Sequence, residues 1–172
     1  FVMNDTNVEI ERRFLPTTLD WKKEAEWVKS KLIFQCYPTA LQEKDKFVRI
    51  RETVDENGTS YELCIKGPSD GLSCSEDEIA ISESEAREYF LNCDKRMLTK
   101  LRHVLCWKGV FIEVDQFQKI RCEDTKLVIC EIEFETVNEA KAFEPPAWLG
   151  KEITGLHHWS NFDLCLNGIP WD

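Results

Sequence analysis

A chain of 172 residues, 42% of them hydrophobic, is long enough to bury a substantial core and fits one domain, residues 1–172, better than two. Its formal charge of −10, from 22 basic and 32 acidic residues, argues against non-specific binding to nucleic acid or to anionic lipid and leaves room for a compact anionic ligand in a local basic pocket. No apolar run approaches the length of a membrane span and the N-terminal stretch lacks the layout of a secretory signal, so a soluble, cytoplasmic protein without a membrane partner is expected.

In chain order, the first element is a strand from Val8 to Leu15, in which Glu9, Glu11 and Arg13 alternate with apolar neighbours and therefore share one face. From Asp20 the period changes. Trp21, Ala25, Val28 and Leu32 recur at helical spacing, with Thr18 or Asp20 as the cap, which predicts a helix whose solvated side carries Lys22, Lys23, Lys29 and Lys31. Strands follow at 32–37, 46–53 and 60–66, the last two joined through Asn57-Gly58, a strong hairpin signal. A strand at 73–82 leads into a helix opened by the capping box Ser82-x-x-Glu85. Strands at 99–107 and 110–117 meet at Lys108-Gly109, a strand at 126–135 comes next, and Thr136-x-x-Glu139 starts a short helix stopped by Pro145 and Pro146. Tight turns between successive strands predict a largely antiparallel sheet of the α+β class.

Charge sign is segregated by strand. Arg49 and Arg51 share a face, as do Lys100 and Arg102, and Lys66 ends its strand; Glu113 with Asp115, and Glu131, Glu133 and Glu135, do the same with acids. Carboxylates two apart on a strand sit ~7 Å from one another and repel by roughly 2 kcal/mol at an effective dielectric of ~20, a cost that a hard divalent cation removes. Guanidinium and ammonium groups bind phosphate, so acidic rows facing basic rows are what a metal-bound polyphosphate requires. Glu76 and Glu78, within Ser75-Glu76-Asp77-Glu78, either join such a site or face water. His157 and His158, adjacent in a loop, are read as surface residues, and the six tryptophans as core. The eight cysteines, without metal-ligand spacing, are read as reduced thiols.

The run Val8-Glu9-Ile10-Glu11-Arg12-Arg13-Phe14-Leu15 resembles the ExExK signature of the CYTH superfamily, the triphosphate tunnel metalloenzymes. Further matches follow in order at Tyr37-Pro38-Thr39-Ala40, Val48-Arg49-Ile50-Arg51, Ile65-Lys66-Gly67, Ile112-Glu113-Val114-Asp115-Gln116-Phe117, Glu131-Ile132-Glu133-Phe134-Glu135 and Trp148-Leu149-Gly150-Lys151-Glu152-Ile153-Thr154. The resemblance implies a closed eight-stranded antiparallel β-barrel with flanking helices. It implies metal binding, Mg2+ or Mn2+, by Glu9, Glu11, Asp115, Glu131, Glu133 and Glu78, and phosphate binding by Arg49, Arg51, Lys66, Lys100, Arg102 and Lys151. Lys66, Arg13 and Lys151 are the implied catalytic cations.

The activity so implied is metal-dependent hydrolysis of inorganic tripolyphosphate to phosphate and pyrophosphate by a monomer or homodimer. An organic triphosphatase acting on thiamine triphosphate or nucleotides would want an aromatic clamp, for which Trp21, Trp27 and Trp148 are available. An adenylyl cyclase is disfavoured because Asn4-Asp5-Thr6-Asn7 lacks the His-Phe pair of that branch. Arg13 departs from the signature lysine. If that position only binds phosphate, arginine serves; if it exchanges a proton, turnover is slower or absent, leaving a polyphosphate-binding module.

Overall fold

The computed structural model describes residues 8–170; the Asn4–Asn7 segment and the ends of the 1–172 domain lie outside the described residues. Strands β1 (Val8–Leu15), β2 (Glu26–Cys36), β3 (Phe47–Asp55), β4 (Gly58–Lys66), β5 (Ser73–Ala80), β6 (Met97–Trp107), β7 (Val110–Ile120) and β9 (Val128–Glu133) alternate with helices α1 (Trp21–Glu24), α2 (Glu83–Leu91), α3 (Val137–Ala142) and α4 (Asn161–Asn167). Two-residue strands β8 (Glu123–Asp124) and β10 (Lys151–Glu152) are appended to β7 and β1.

Pairing runs β1-β5-β4-β3-β2-β6-β7, and β9 then bridges β7 back to β1, every pair antiparallel. The ring closes as the eight-stranded barrel that the alternating runs imply, and closure removes its free edges. The hairpins form where expected. Asp55 pairs with Gly58, and Trp107 with Val110, around a turn that puts Lys108 at φ 48° and Gly109 at φ 79°, the left-handed pair that matches strand twist. The Ser82 capping box is complete, and the Thr136 hydroxyl accepts from the Glu139 amide.

The helix predicted from Asp20 is a correction. Only Trp21–Glu24 is helical; Ala25 is extended, and β2 begins at Glu26 and pairs with β6 along its length, with a bulge between Trp27 and Lys29. Helical spacing in this stretch is overridden by the sheet, because an unpaired β6 edge would leave the ring open. Trp21 alone of the predicted apolar stripe is buried, stacked on His103.

Outside the ring, α2 covers Cys36, Ile50 and Cys93. On another flank Phe14, Trp21, Leu105, Ile112, Val114, Cys130, Ile132 and Leu149 form a second apolar cluster. The third closes one end of the barrel. Leu164 and Cys165 of α4 pack with Tyr37, Leu98, Phe117 and Ile129, and Phe162 meets Tyr37 edge-on at 5.4 Å. The strand ends at Val8, Glu26, Asp55, Ala80, Trp107 and Glu133 gather at the opposite, open end. Helix α4 was not expected from the sequence, although Ser160 caps it through the Asp163 amide. All eight cysteines are free.

Candidate functional site

The charged rows line the barrel interior. Lys66 on β4 donates to Glu9 Oε1 on β1 at 2.8 Å although β5 lies between those strands, and Arg102 on β6 reaches Glu131 on β9 at 3.3 Å past β7. Such contacts between non-neighbouring strands are made only through the lumen. Alternation then places Glu9, Glu11 and Arg13 of β1, Arg49 and Arg51 of β3, Glu76 and Glu78 of β5, and Glu131 and Glu133 of β9 inward.

The acidic wall is strained electrostatically. Carboxylate oxygens of Glu9, Glu11 and Glu133 lie within 4.8 Å of one another. Burial, then Glu131 and Glu9, push Glu11 up to about 8; partial burial, then Glu113 and Glu9, push Glu133 up to about 7. Glu9 is also raised, by burial and Glu76, despite its bond to Lys66. Three oxygen donors that resist joint ionisation are matched to a hard divalent cation, whose charge removes the cost. A cavity of about 320 Å³ opens beside them, lined by Val8, Glu9, Ile10, Glu76, Glu78, Glu133 and Phe134. Glu76 and Glu78 therefore face the lumen, with Glu76 Oε2 buried 3.4 Å from Lys66 Nζ, and Cys64 within the same group of potential ligands.

Two of the acids assigned to metal are differently employed. Asp115, fully buried, accepts from Lys100 Nζ at 2.7 Å and from Arg102 Nε and Nη2 at 2.7 and 2.8 Å. Burial alone would raise its pKa, but Arg102 and Lys100 overcome this and hold it well below the usual range. Glu131 meets Arg13 at 3.2 Å and Arg102 at 3.3 Å, which outweigh burial and hold it down to about 2. With their oxygens committed to protein cations, both residues are counter-ions of the basic wall. Among the described residues the grouped carboxylates are Glu9, Glu11 and Glu133, beside a second group of Cys64, Glu76 and Glu78.

The basic wall keeps individual N–H donors to spare. Arg49 stands 3.6 Å from Glu62 and 3.7 Å from Glu78, with its buried Nε unbonded. Arg51 donates to Gln35 Oε1 at 2.9 and 3.2 Å, and burial, Arg49 and Arg102 lower it to about 10. Lys100, with no exposed surface, is lowered to about 8 by burial, against the pull of Asp115. Arg13 donates Nε to Glu131 and Nη1 to the Trp159 carbonyl at 2.7 Å, leaving Nη2 buried and unbonded. For Lys66, Glu9 and Glu11 overcome burial and raise the pKa, so its ammonium stays charged. Orphaned guanidinium N–H groups in a lumen are ready donors to an anion.

Lys151 is not brought to this constellation. It is exposed on β10 opposite Leu15, away from the mouth, with no ion pair among the described residues. His157 and His158 are exposed, as expected. Sequence reasoning missed Lys31, Gln35, Glu62 and Tyr37. Lys31 falls in a stretch whose spacing predicts a helix where the chain forms a strand, while Tyr37, pushed up to about 12 by burial, lies in a resembling segment that implies no role for it. Gln35 donates Nε2 to the Tyr37 hydroxyl at 3.1 Å, tying the arginine row to the closed end.

A barrel plugged at one end sets a carboxylate wall against a guanidinium and ammonium wall across its lumen, donor chemistry suited to a compact polyanion and a hard cation. The chain belongs to the CYTH family, whose domain model matches residues 7–160. It is 36% identical over 160 residues to an inorganic triphosphatase of Acetivibrio thermocellus, covering 92% of this chain and 94% of the relative. It is 31% identical over 163 residues to an inorganic triphosphatase of Nitrosomonas europaea, covering 94% and 99%. The crystal structure of an inorganic triphosphatase superposes with a TM-score of 0.65 at 27% identity, over 94% of this chain and 97% of that one. A protein of Pyrococcus horikoshii at 19% identity, TM-score 0.56 and 77% and 82% coverage shares the fold.

Proposed function

We propose that this protein hydrolyses inorganic tripolyphosphate to phosphate and pyrophosphate within a single domain, using a divalent cation. The observation that carries the reading is the clustered Glu9–Glu11–Glu133 oxygens facing a basic wall with unbonded buried guanidinium donors. The curated relatives named inorganic triphosphatase support it.

Glu9, Glu11 and Glu133 would hold the ion, Mg2+ or Mn2+ by the hardness of the donors, which when bound neutralises phosphoryl oxygens and lowers the pKa of a coordinated water. Arg49, Arg51 and Arg102 would grip the phosphate chain and stabilise the charge that gathers on the phosphoryl oxygens as the water oxygen bonds to phosphorus and the bridging P–O bond breaks. Lys66, fixed by Glu9, supplies a permanent charge rather than an exchangeable proton. Arg13 anchors Glu131 and offers its free Nη2 to an oxygen, a binding role that arginine fills as well as lysine. Of the tryptophans considered for an organic clamp, Trp21 is buried and Trp148 packs on the core, leaving Trp27 exposed near the mouth. A lone indole favours the inorganic substrate.

Release of phosphate from tripolyphosphate with Mg2+ or Mn2+, and its loss with excess EDTA, is the test. No turnover by folded protein in either metal would sink the reading, and tight metal-dependent binding without turnover would replace it with a binding module.

A further inference from the structure

Lys31 is a lumen cation with no ion pair of its own among the described residues. Its direction is fixed by register. Lys31 is paired with Arg102 on β6 and, two pairs further along the same face, Gln35 is paired with Arg51 on β3. Directly opposed residues share a face, and the Arg102 and Arg51 side chains are both in the lumen. In the ring, β2 is four strands from β1 by way of β5, β4 and β3, and four by way of β9, β7 and β6. Lys31 therefore faces the Glu9–Glu11 wall across the full width of the barrel. Because β2 starts at the open end and finishes beside Tyr37 at the closed one, Lys31 lies nearer the mouth than the Gln35–Arg51 level.

The side chain is half-buried and makes no ion pair within 4.0 Å among the described residues. Glu113, the acid whose charge it feels, is already held by Arg102 at 2.8 Å, while Arg102, Arg51 and Lys29 repel it. Burial, followed by Arg102, lowers its proton affinity accordingly. An ammonium kept in such company is stabilised when an anion enters.

We propose that Lys31 binds the outermost phosphate of a linear triphosphate and selects for a chain whose outer end is a free phosphate over one whose outer end is esterified. The inference rests on the triphosphate reading above. A free terminal phosphate has one more ionisable oxygen than an esterified one, so a cation at that point gains most from inorganic triphosphate. An organic triphosphate, inserted by its free end, turns its ester toward Lys31 and forfeits that gain.

The test compares wild type, Lys31→Gln and Lys31→Arg by calorimetric titration with tripolyphosphate and with methyl triphosphate in EDTA, where binding is read without turnover. Lys31→Gln is expected to weaken tripolyphosphate roughly tenfold, the worth of one charge-assisted hydrogen bond in a part-exposed site, and methyl triphosphate about twofold. Lys31→Arg should retain most of the preference. Melting of the ligand-free protein accompanies the titrations, and Lys31→Gln should melt no lower than wild type because it relieves repulsion at Arg102. Equal weakening of both ligands, no weakening of either, or a lowered melting temperature with equal losses would overturn the assignment. Wild type that discriminates between the ligands but never hydrolyses tripolyphosphate would refute the hydrolase reading and leave Lys31 in its role.

Discussion

Glu11→Gln removes the carboxylate whose ionisation the acidic wall resists most clearly. In the folded chain Glu11 is pushed from 4.5 up to about 8 by burial, Glu131 and Glu9. Between those two pH values the folded state keeps a proton that the unfolded chain has released, so the metal-free protein loses stability as pH rises through the window, and the loss is complete above 8. At about 1.4 kcal/mol per tenfold, the whole difference is about 5 kcal/mol. Water entering by the mouth screens a part-exposed side chain, and a loss of about 2 kcal/mol is expected. Glutamine keeps the shape and does not titrate. In EDTA at pH 8.5 the variant should therefore melt about 4–8 °C above wild type, since 1 kcal/mol moves a domain of this size by about 2–4 °C. At pH 5 the two should nearly coincide. Added Mg2+ should stabilise wild type more at pH 8.5 than at pH 5, because protons compete for the same oxygens, and should stabilise the variant less at either pH. A variant no more stable than wild type at pH 8.5, or equally helped by Mg2+, would refute the account of the acidic wall.

Asp115→Asn leaves buried Lys100 and Arg102 without their shared counter-charge, and urea unfolding should show a loss of about 3–5 kcal/mol. A loss below about 1 kcal/mol would mean that Asp115 is not the structural partner of the basic wall. Arg13→Lys cannot keep both the Glu131 and Trp159 contacts, so a stability loss of about 1 kcal/mol with turnover within about tenfold of wild type is expected. A rise in turnover beyond that range would show that this position moves a proton.

The barrel was legible because a strand with a charged lumen on one face and an apolar layer on the other must alternate, and each ring strand except β2 does so for most of its length. Rows of one sign marked the walls for the same reason. What the alternation could not tell was occupancy. Asp115 and Glu113 share a row, yet Asp115 is opposite Arg102 in register and is saturated, a distinction that exists only once β6 and β7 are paired. β2 was hidden by coincidence of period. Trp21, Ala25, Val28 and Leu32 match a helical stripe, the bulge at Trp27/Lys29 breaks the alternation, and Lys31 went with them to the solvent side. Helix α4 carried a Ser160-x-x-Asp163 cap signal, but its function as a plug depends on the distant strand ends it meets.

That plug turns the tunnel into a cul-de-sac. With Leu164, Cys165 and Tyr37 filling the far end, whatever enters past Glu133 must return the same way, so a cleaved chain departs in order, outer fragment before inner. A long polyphosphate would meet that packed cluster and offer only its tip to such a chamber. Either product lingering near the mouth would bar the next substrate, making clearance of that single doorway part of every turnover.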